Sequence, residues 1–388
     1  MYRCILIGIS DSREQWFTPQ VLEIIATGAV FSGGRRHHEI VAPHLPVEAH
    51  WIDITVPLDA VFEQYKAFPE VVIFASGDPL FYGFAATVQR LCPQCEMRVF
   101  PTFNSLQLLA HRLCMPYQDM HAVSLTGRPW EGLDQALIRG QRLIGCLTDA
   151  HHTPHTIWQR MQDYGYTNYK MYVGECLGNQ HERVGEYEAD QEYRQPNCLI
   201  LQQTAPRQIP FGLPEGDFHL LDGREKMITK MPIRLCTLSA LNLPQARQFW
   251  DVGFCTGSVS IEARLRFPHL RITAFEVRPQ GEQLLDLNAR RFGAPGIRAV
   301  MGDFLQLDLS AYDAPDAVFI GGHGGKLVEM IQRLSRVLAP GGCIVFNSVS
   351  PESREMFFQG AAQAGLTASE VMHIALDRHN PITILKAQ

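Results

Sequence analysis

The sequence predicts two consecutive α/β domains, residues 1–206 and 207–388. At roughly 150 residues per domain, a chain of 388 residues contains two or three folded units. Short β-rich runs alternate with helical patterns in both halves, and this order typically builds a mostly parallel sheet with helices on its faces. Residues 204–231 concentrate Pro and Gly between two apolar runs, which places the junction near Arg207.

The element pattern is similar in the two halves. Strands are predicted in the first half at residues 4–9, 71–77, 98–103, 142–149, 170–175 and 197–204, with helices at 82–91 and 104–114. Strands are predicted in the second half at residues 249–254, 271–277, 317–322 and 343–349, with a further short strand before residue 301. The chain has no repeat of fixed period, which excludes solenoid architectures.

Composition and charge exclude several classes of protein. With 46% hydrophobic and 19% charged residues, the chain has the balance of an ordered globular protein. Its 34 Lys and Arg against 40 Asp and Glu give a formal net charge of −6, so we expect no nucleic-acid partner. No apolar run is long enough to cross a membrane, so we expect no membrane partner. Ten scattered cysteines favour reduced thiols and a cytoplasmic location.

Two patterns contain metal-ligating residue types but favour structural roles. Cys92 and Cys95 form a single CxxC with a proline inside it, which is more typical of a turn at a helix end. His151 and His155 are four residues apart, yet Thr153 and Pro154 between them predict a helix start that leaves His151 outside the helix. We therefore predict no metal site.

A glycine-bearing turn gives the strongest local signal in the chain. Residues 250–262, WDVGFCTGSVSIE, read as a strand that enters a turn and then a helix, so a ligand can approach the backbone and face helix N–H groups. The next strand ends in Glu276, the position of an acid that accepts hydrogen bonds from ribose hydroxyls. Asp303 follows a further strand and is suited to an adenine amino group.

This order of acids and glycines favours S-adenosylmethionine over a dinucleotide, because the turn lacks a clear seat for a pyrophosphate. Asp251 would face the ammonium group of this methyl donor, and the turn would face its carboxylate and ribose. The alternative is an ordinary sheet in which Asp251 is a helix N-terminal charge and Glu276 a solvated strand end. The candidate donor-binding residues in this half are Asp251, Gly253, Thr256, Gly257, Glu276 and Asp303.

Further motifs in the second half resemble a known family. They are ITKMPIR at 228–234, FIGGHGGKL at 319–327 and FNSVSPES at 346–353. Together with the glycine turn they resemble the C-15-methylating, decarboxylating methyltransferases of cobalamin biosynthesis over residues 223–388. The Gly-Gly-x-Gly-Gly loop is the specific part of this resemblance. Cys255 departs from the family pattern, since it stands where the turn usually has its middle glycine.

The resemblance implies a tetrapyrrole substrate that carries many carboxylates. Cationic side chains would bind most of these carboxylates and leave the reacting acetate unpaired. His323, in the glycine-rich loop, is the catalytic candidate, because an imidazole can hydrogen-bond an acetate or move a proton. A structural cap is the alternative role for this histidine. The substrate-binding candidates are Lys230, Arg234, Arg278 and Asn347.

The first half resembles the tetrapyrrole methyltransferase family, most closely its C-5-methylating members, over residues 1–205. The motifs are ASGDPLFYG at 75–83, FNSLQ at 103–107, SLTGR at 124–128 and LTD at 147–149. The resemblance implies a donor bent into a cleft between two α/β subdomains, with Gly77, Asp78, Ser105 and Thr148 as candidate contacts. Residues 9–12, ISDS, replace the Gly-Pro-Gly that the family pattern expects.

The two resemblances together imply a fused enzyme that methylates one corrin precursor at C-5 and C-15 and decarboxylates a ring acetate. Related enzymes pair or assemble, so we expect a homo-oligomer. In a second interpretation only the second half is catalytic and the first half holds the substrate. In a third, the chain is a nucleotide-sensing regulatory protein that binds ligand without turnover.

Overall fold

The computed structural model describes residues 2–224, 227–376 and 381–388, which form two compact units. The first unit comprises Met1–Gly132, Gln141–Trp158 and Asn168–Ala205. The second comprises Leu133–Gly140, Gln159–Thr167 and Pro206–Gln388. Among the described residues, no helix is both long enough and apolar enough to span a bilayer.

The first sheet of the first unit is wholly parallel, with strand order β3-β2-β4-β1-β5. Its strands are β1 (Arg3–Ile9), β2 (Val30–Gly33), β3 (His50–Asp53), β4 (Glu70–Ser76) and β5 (Glu96–Phe100). Ile9 lies opposite Ser76 in the register, so the turns that follow β1 and β4 lie together at one edge. This edge includes the Gly-Asp-Pro turn.

The second sheet of the first unit has the order β6-β7-β10-β8-β9 and is mostly antiparallel. Its strands are β6 (His121–Ser124), β7 (Leu143–Leu147), β8 (Tyr169–Glu175), β9 (Arg183–Glu186) and β10 (Asn197–Gln203). The expectation of a mostly parallel sheet is wrong here. Residues 169–203 are all described and place no helix between β8, β9 and β10, whereas a parallel neighbour needs a crossover connection.

The second unit has one seven-stranded sheet with the order β13-β12-β11-β14-β15-β17-β16. Its strands are β11 (Gln248–Val252), β12 (Arg271–Glu276), β13 (Ile297–Met301), β14 (Ala317–Ile320), β15 (Cys343–Ser348), β16 (Ala368–Ile374) and β17 (Ile382–Ala387). The first five strands in this order are parallel, and β17 is antiparallel to both neighbours. The chain order reverses beside β11, which opens a crevice at the carboxyl ends of β11 and β14.

Twelve α-helices are found in the described residues. They are α1 (Pro19–Thr27), α2 (Arg35–Val41), α3 (Leu58–Tyr65), α4 (Phe84–Leu91), α5 (Ser105–Arg112), α6 (Glu131–Ile138), α7 (Pro154–Asp163), α8 (Met231–Ala240), α9 (Ser258–Arg266), α10 (Gln280–Phe292), α11 (Leu327–Ser335) and α12 (Pro351–Gln363). Several begin at polar caps: Asn104 and Gln107 exchange hydrogen bonds of 3.0 Å at the start of α5.

The α/β class predicted from the sequence is confirmed, and so are the predicted strand positions to within a few residues. The strands β2, β3, β9, β16 and β17 were not predicted. Two of these missed strands, β3 and β9, are four residues long with an exposed or mixed pattern, and β16 is largely exposed, so none of these three shows a long apolar run. Their positions depend on pairing with neighbouring strands rather than on their own sequence pattern.

Phe357 tests how far α12 stabilises the second unit. Its side chain is fully buried among Ile331, Phe346 and Leu385 in the core on one face of the sheet. We expect Phe357→Ala to lower the free energy of unfolding by about 3–5 kcal/mol because it leaves a cavity. Urea unfolding measures this loss. Phe211→Ala, at an exposed phenylalanine, should cost less than about 1 kcal/mol; equal losses would contradict this account of the core.

Candidate functional site

A cavity of about 240 Å³ opens at the carboxyl ends of the parallel strands in the second unit. It lies where β11, β12, β13 and β14 end, the crevice at which open α/β sheets bind ligands. Five of the predicted site residues line it: three donor-binding candidates, one substrate-binding candidate and the catalytic candidate. Its lining residues are Val252, Gly253, Phe275, Glu276, Val277, Arg278, Gly302, Asp303, Phe304, Leu305, Gly322, His323, Gly324, Lys326 and Met330.

The turn after β11 is shaped by glycine. Gly253 has φ +79°, and a Cβ atom there would lie 2.7 Å from the backbone nitrogen of Gly322. The peptide N–H of Gly321 also donates to the carbonyl of Val252, at 2.8 Å. Two glycine-containing loops therefore meet backbone to backbone on one side of the cavity. Only a residue without a side chain permits this approach.

Cys255 adopts the backbone conformation that a glycine would adopt at this point, with φ +50°. Its N–H donates to Oε2 of Glu276, at 2.9 Å, which ties the turn to the end of β12. Burial raises the pKa of its thiol, so the side chain is neutral at neutral pH. The departure from the family pattern therefore keeps the turn geometry and adds a partly buried thiol beside it.

Glu276 is the most extensively hydrogen-bonded acid of the cavity. Its side chain is almost fully buried, and its Oε1 accepts N–H bonds from Val277 and Arg278, at 2.9 and 3.0 Å. The guanidinium of Arg278 lies 3.2 Å from both carboxylate oxygens. These hydrogen bonds satisfy the buried carboxylate and fix its position at the cavity.

Asp303 faces the same cavity from the turn after β13. Its Oδ1 accepts the N–H of Leu305, at 3.0 Å, and its Oδ2 lies 3.3 Å from Nζ of Lys326. The backbone hydrogen bond and the lysine hold the pKa of Asp303 below its usual range. Lys326 was not predicted as a site residue, although it directly follows the Gly-Gly-x-Gly-Gly loop that identified this region.

His323 lies in the glycine-rich loop after β14, half-buried and in edge-to-face contact with Phe346 at 5.6 Å. Burial lowers the pKa of its imidazole, which favours the neutral ring at neutral pH. Its Nδ1 accepts the N–H of Gly325, at 3.1 Å. The neutral ring therefore carries its proton on Nε2.

Asp251, Thr256 and Gly257 lie behind the cavity and are not among its lining residues. Asp251 is buried in β11, and its Oδ2 accepts hydrogen bonds from the N–H and the hydroxyl of Ser260, at 3.2 and 2.6 Å. Its Oδ1 has no hydrogen-bond partner among the residues described. Burial raises the pKa of Asp251 to about 7. Asp251 therefore anchors the start of α9 through Ser260. The sequence instead predicts that Asp251 faces the ammonium group of the methyl donor.

Thr256 and Gly257 form the entry to α9. The Thr256 carbonyl accepts a hydrogen bond of 2.9 Å from the side chain of Asn288, which fixes the turn to α10. Gly257 has φ +74°, and a Cβ atom there would lie 2.2 Å from the side chain of Leu285. Both residues hold the turn in place from behind.

The structure encloses one of the substrate-binding candidates, Arg234, in the protein interior. Arg234 has no exposed surface: it pairs with Glu262, donates to the carbonyl of Thr229 and stacks on Phe218. A guanidinium enclosed in this way cannot reach a substrate carboxylate, so the prediction for Arg234 is wrong. Of the predicted cations, Arg278 is the one that lines the cavity.

The two other substrate-binding candidates are Asn347 and Lys230. Asn347 exchanges hydrogen bonds of 3.0 and 3.1 Å with the hydroxyl of Thr237, which ties β15 to α8. Lys230 immediately precedes α8 and is half-buried. Neither of these residues lines the cavity.

In the first unit, the Gly-Asp-Pro turn packs tightly against its neighbours. A Cβ atom on Gly8 would lie 1.9 Å from the Gly77 carbonyl, and one on Gly77, with φ +61°, would lie 2.8 Å from Cα of Asn104. Asp78 accepts the N–H of Leu80, at 2.9 Å, and so stabilises the turn itself. The structure thus brings Gly77 close to Asn104, the residue before Ser105.

Ser105 begins α5 with an exposed side chain, and Thr148 follows β7. The Thr148 hydroxyl donates to the side-chain oxygen of Asn197, at 2.7 Å, so it helps to hold β10. A wider cleft of about 700 Å³ lies beside the Gly-Asp-Pro turn. It is lined by Leu80, Phe81, Tyr82, Gly83, Ala86, Thr87, Arg90, Ala122 and Arg128.

Tyr82 and Arg128 are site residues that sequence reasoning did not assign. Tyr82 has φ +52°, and its hydroxyl donates to the carbonyl of Ala122, at 2.9 Å, which joins the turn to the second sheet. Arg128 lies over the Tyr82 ring and donates to Ser124, at 2.7 Å. The quoted motifs GDPLFYG and SLTGR contain both residues, but only the fold shows that they meet.

The altered loop after β1 is closed by polar contacts. Asp11 pairs with Arg36, at 3.2 Å, and accepts a hydrogen bond from Asn179, which follows β8 of the second sheet. Ser76, at the end of β4, is bonded to both Arg36 and His37, at 3.1 and 2.9 Å. Residues that replace the expected Gly-Pro-Gly therefore connect the loops of the two sheets.

Two family models match the chain. The model of tetrapyrrole (corrin/porphyrin) methylases matches residues 3–191, and the model of the precorrin methyltransferase domain matches residues 221–387. A precorrin-6Y C(5,15)-methyltransferase (decarboxylating) from Sinorhizobium is 30% identical over 97% of this chain and 91% of its own length. This relative therefore spans both units.

Two further comparisons each cover less than half of this chain. A cobalt-precorrin-6B C(15)-methyltransferase (decarboxylating) from Salmonella typhimurium is 35% identical over 42% of this chain and 83% of its own. The crystal structure of a precorrin-6Y C5,15-methyltransferase from Geobacter metallireducens is 33% identical, with a TM-score of 0.43, and covers 47% of this chain and 99% of that one.

The buried carboxyl of Asp251 predicts a pH-dependent stability. Because its pKa is about 7 in the folded unit, against 3.8 for an ordinary aspartate, the folded state retains this proton as pH rises from 4 to 7 while the unfolded chain loses it. Stability contributed by this group therefore falls over that range. We expect Asp251→Asn to remove this decline, measured as the urea midpoint against pH.

Asp308→Asn is the control for the pH experiment, because hydrogen bonds from Ser310 lower the pKa of Asp308. Asp308 stabilises the folded state above its ordinary pKa and loses that effect as pH falls, which is the opposite sign. An Asp251→Asn protein that keeps the wild-type decline between pH 4 and 7 would contradict the assignment of a buried, proton-holding carboxyl.

Gly253→Ala tests the close approach of the two loops. The new methyl group would overlap the backbone of Gly322 at a residue with positive φ, so we expect loss of the cavity shape and at least about tenfold weaker donor binding, following a local cost of over 1 kcal/mol. Gly341→Ala is the matched control, since Gly341 also has positive φ but has open space around it. Calorimetry with S-adenosylhomocysteine compares them; equal affinities would refute the steric explanation.

Proposed function

The chain belongs to the family of decarboxylating precorrin-6Y C(5,15)-methyltransferases, and from this membership we propose its activity. It transfers two methyl groups from S-adenosylmethionine to a corrin precursor of the precorrin-6B type, at C-5 and C-15, and removes the carboxyl group of a ring acetate. The observation that carries this proposal is the match to a bifunctional relative along 97% of the chain, across both units.

The two activities are divided between two domains in this proposal. Residues 1–206 methylate C-5, and residues 207–388 methylate C-15 and decarboxylate the acetate. The family models that match residues 3–191 and 221–387 support this division. The substrate is a tetrapyrrole and the methyl donor is S-adenosylmethionine. We further propose a cytoplasmic homo-oligomer without nucleic-acid or membrane partners.

The cavity of the second unit offers hydrogen-bond acceptors, accessible backbone and an apolar face, which together suit S-adenosylmethionine. Glu276 and Asp303 are acceptors for a ribose hydroxyl and the adenine amino group, respectively. Gly253 leaves room for a ligand beside the backbone, and Phe304 adds an apolar face. S-Adenosylmethionine supplies an activated methyl group on a sulfonium, so the protein needs no nucleophilic side chain.

The protein's contribution to methyl transfer is alignment in a pocket with little water. A fixed geometry turns the displacement into an effectively intramolecular step, and the pocket lowers the solvation of the sulfonium charge as it is neutralised. Exchange of the ring acetate for a methyl group releases carbon dioxide and takes up one proton at carbon. His323 can hold this proton on Nε2, which its hydrogen bond from Gly325 leaves as the N–H position.

The first unit binds its donor at the edge where β1 and β4 end. Gly77 and Asp78 form the turn at this edge, Ser105 begins α5 and Thr148 follows β7, and we assign all four to the donor. Arg128 and Arg90 beside the wider cleft supply positive charge for substrate carboxylates. The contacts of Asp11 with Arg36 and Asn179 support a closed edge despite the altered loop.

Donor stoichiometry separates the proposal from its alternatives. Titration calorimetry with S-adenosylhomocysteine should give two sites per chain. One site would leave only the second domain as a methyltransferase, and no binding would contradict both interpretations. Turnover of the hydrogenated precorrin with labelled donor should add two methyl groups and remove carbon dioxide; an unchanged substrate mass would favour a sensing protein.

Glu276→Ala tests the assignment of the second site. Removal of the ribose acceptor should abolish C-15 methylation and one of the two donor sites, and C-5 methylation should continue, because the residues of the first site lie in the other unit. Glu355→Ala, at an exposed glutamate of α12, is the control and should retain both activities. Full C-15 methylation by Glu276→Ala would contradict the assignment; product mass distinguishes the two methylations.

A further inference from the structure

Two cations neutralise the two acids of the donor cavity. Arg278 lies 3.2 Å from both carboxylate oxygens of Glu276, and Lys326 lies 3.3 Å from Oδ2 of Asp303. All four residues line the same cavity. The proposed function assigns Glu276 and Asp303 to the adenosine of the methyl donor. Each cation therefore occupies a hydrogen-bonding position that the methyl donor needs.

The hydrogen-bonding capacity of Glu276 sets a limit on this arrangement. A carboxylate has about four acceptor positions. The backbone N–H groups of Cys255, Val277 and Arg278 use three of them, and these bonds are part of the turn itself. The Arg278 guanidinium covers the one remaining position, so Glu276 can accept a ribose hydroxyl only if the guanidinium moves.

The two cations can leave without stripping the acids of all their hydrogen-bond donors. Their side chains are 43% and 54% exposed, for Arg278 and Lys326 respectively, so both can turn into solvent. Glu276 keeps its three backbone N–H bonds when Arg278 leaves. Asp303 keeps its backbone hydrogen bond from Leu305 when Lys326 leaves. The ribose and the amino group of adenosine then provide neutral hydrogen-bond donors in place of the charged groups of Arg278 and Lys326.

We propose that donor binding in the second unit exchanges these partners and releases Arg278 and Lys326 to bind carboxylates of the substrate. This proposal rests on the proposed function, because it takes adenosine as the ligand of Glu276 and Asp303. Before the donor binds, both cations are neutralised by acids of the same cavity. The substrate thus meets a cationic rim only after the donor is in place.

The exchange couples the two ligands. A donor that frees two cations strengthens carboxylate binding, and by linkage a bound carboxylate that holds those cations strengthens donor binding by the same factor. The consequence for catalysis is an ordered reaction, donor first. The released cations line the same cavity as His323, so the carboxylates that they bind hold the macrocycle at the cavity that contains this histidine.

The experiment measures this coupling with two stable probes, S-adenosylhomocysteine and the octacarboxylate uroporphyrin III. In the full-length wild-type protein, we expect a saturating concentration of S-adenosylhomocysteine to tighten porphyrin binding at least about fivefold, the lower end of typical coupling. In the double variant Arg278→Gln, Lys326→Gln, the tightening of porphyrin binding that arises in the second unit should be lost. This variant should bind S-adenosylhomocysteine as tightly as wild type or more tightly.

Arg354→Gln is the matched control, since Arg354 pairs with Glu370 outside the cavity and its coupling should equal that of wild type. Any coupling in the first unit is the same in all three proteins, so the difference belongs to the second unit. An identical coupling factor in the double variant, or weaker binding of S-adenosylhomocysteine by it, overturns the proposal.

Hydrogen exchange separates this failure from failure of the proposed function. S-Adenosylhomocysteine should protect the backbone of residues 252–262 in wild type. Protection without a difference in coupling overturns the exchange proposal alone. Absence of protection shows that the donor does not bind at this turn, which overturns the assignment of the second site as well.

Discussion

The candidate site of the second unit depends on the hydrogen bonds that the buried carboxylate of Glu276 accepts. This carboxylate accepts the backbone N–H groups of Cys255, Val277 and Arg278, and so fixes the glycine turn after β11 to the end of β12. A buried charge is tolerated only where such donors replace water. The same bonds hold Cys255 at positive φ, where its side chain is less favoured than glycine.

A second constraint is the close contact between glycine-containing segments in both units. Gly253 lies against Gly322 in the second unit, and Gly8 lies against the carbonyl of Gly77 in the first. In each case two loops at the carboxyl ends of parallel strands approach more closely than side chains allow. Backbone groups therefore form part of each candidate donor site, and the polar side chains surround them.

Local signals explain which parts of the structure the sequence predicted. Strong apolar runs and glycine turns identified β1, β4, β11 and β12 and the acids Glu276 and Asp303, because these features are encoded within a few residues. The short strand β2 was missed because partners distant in sequence define it, and β9 was missed because its four residues are largely exposed. The same limit explains Arg234: its residue type indicated a substrate cation, but the fold encloses it against Glu262.

A crystal structure of the full-length protein with S-adenosylhomocysteine tests the central claim most directly. We predict that a ribose hydroxyl lies about 2.7–3.0 Å from the Glu276 carboxylate, that the adenine amino group faces Asp303, and that the guanidinium of Arg278 has left Glu276. Density for the ligand at another place, with Arg278 still bound to Glu276, would contradict it.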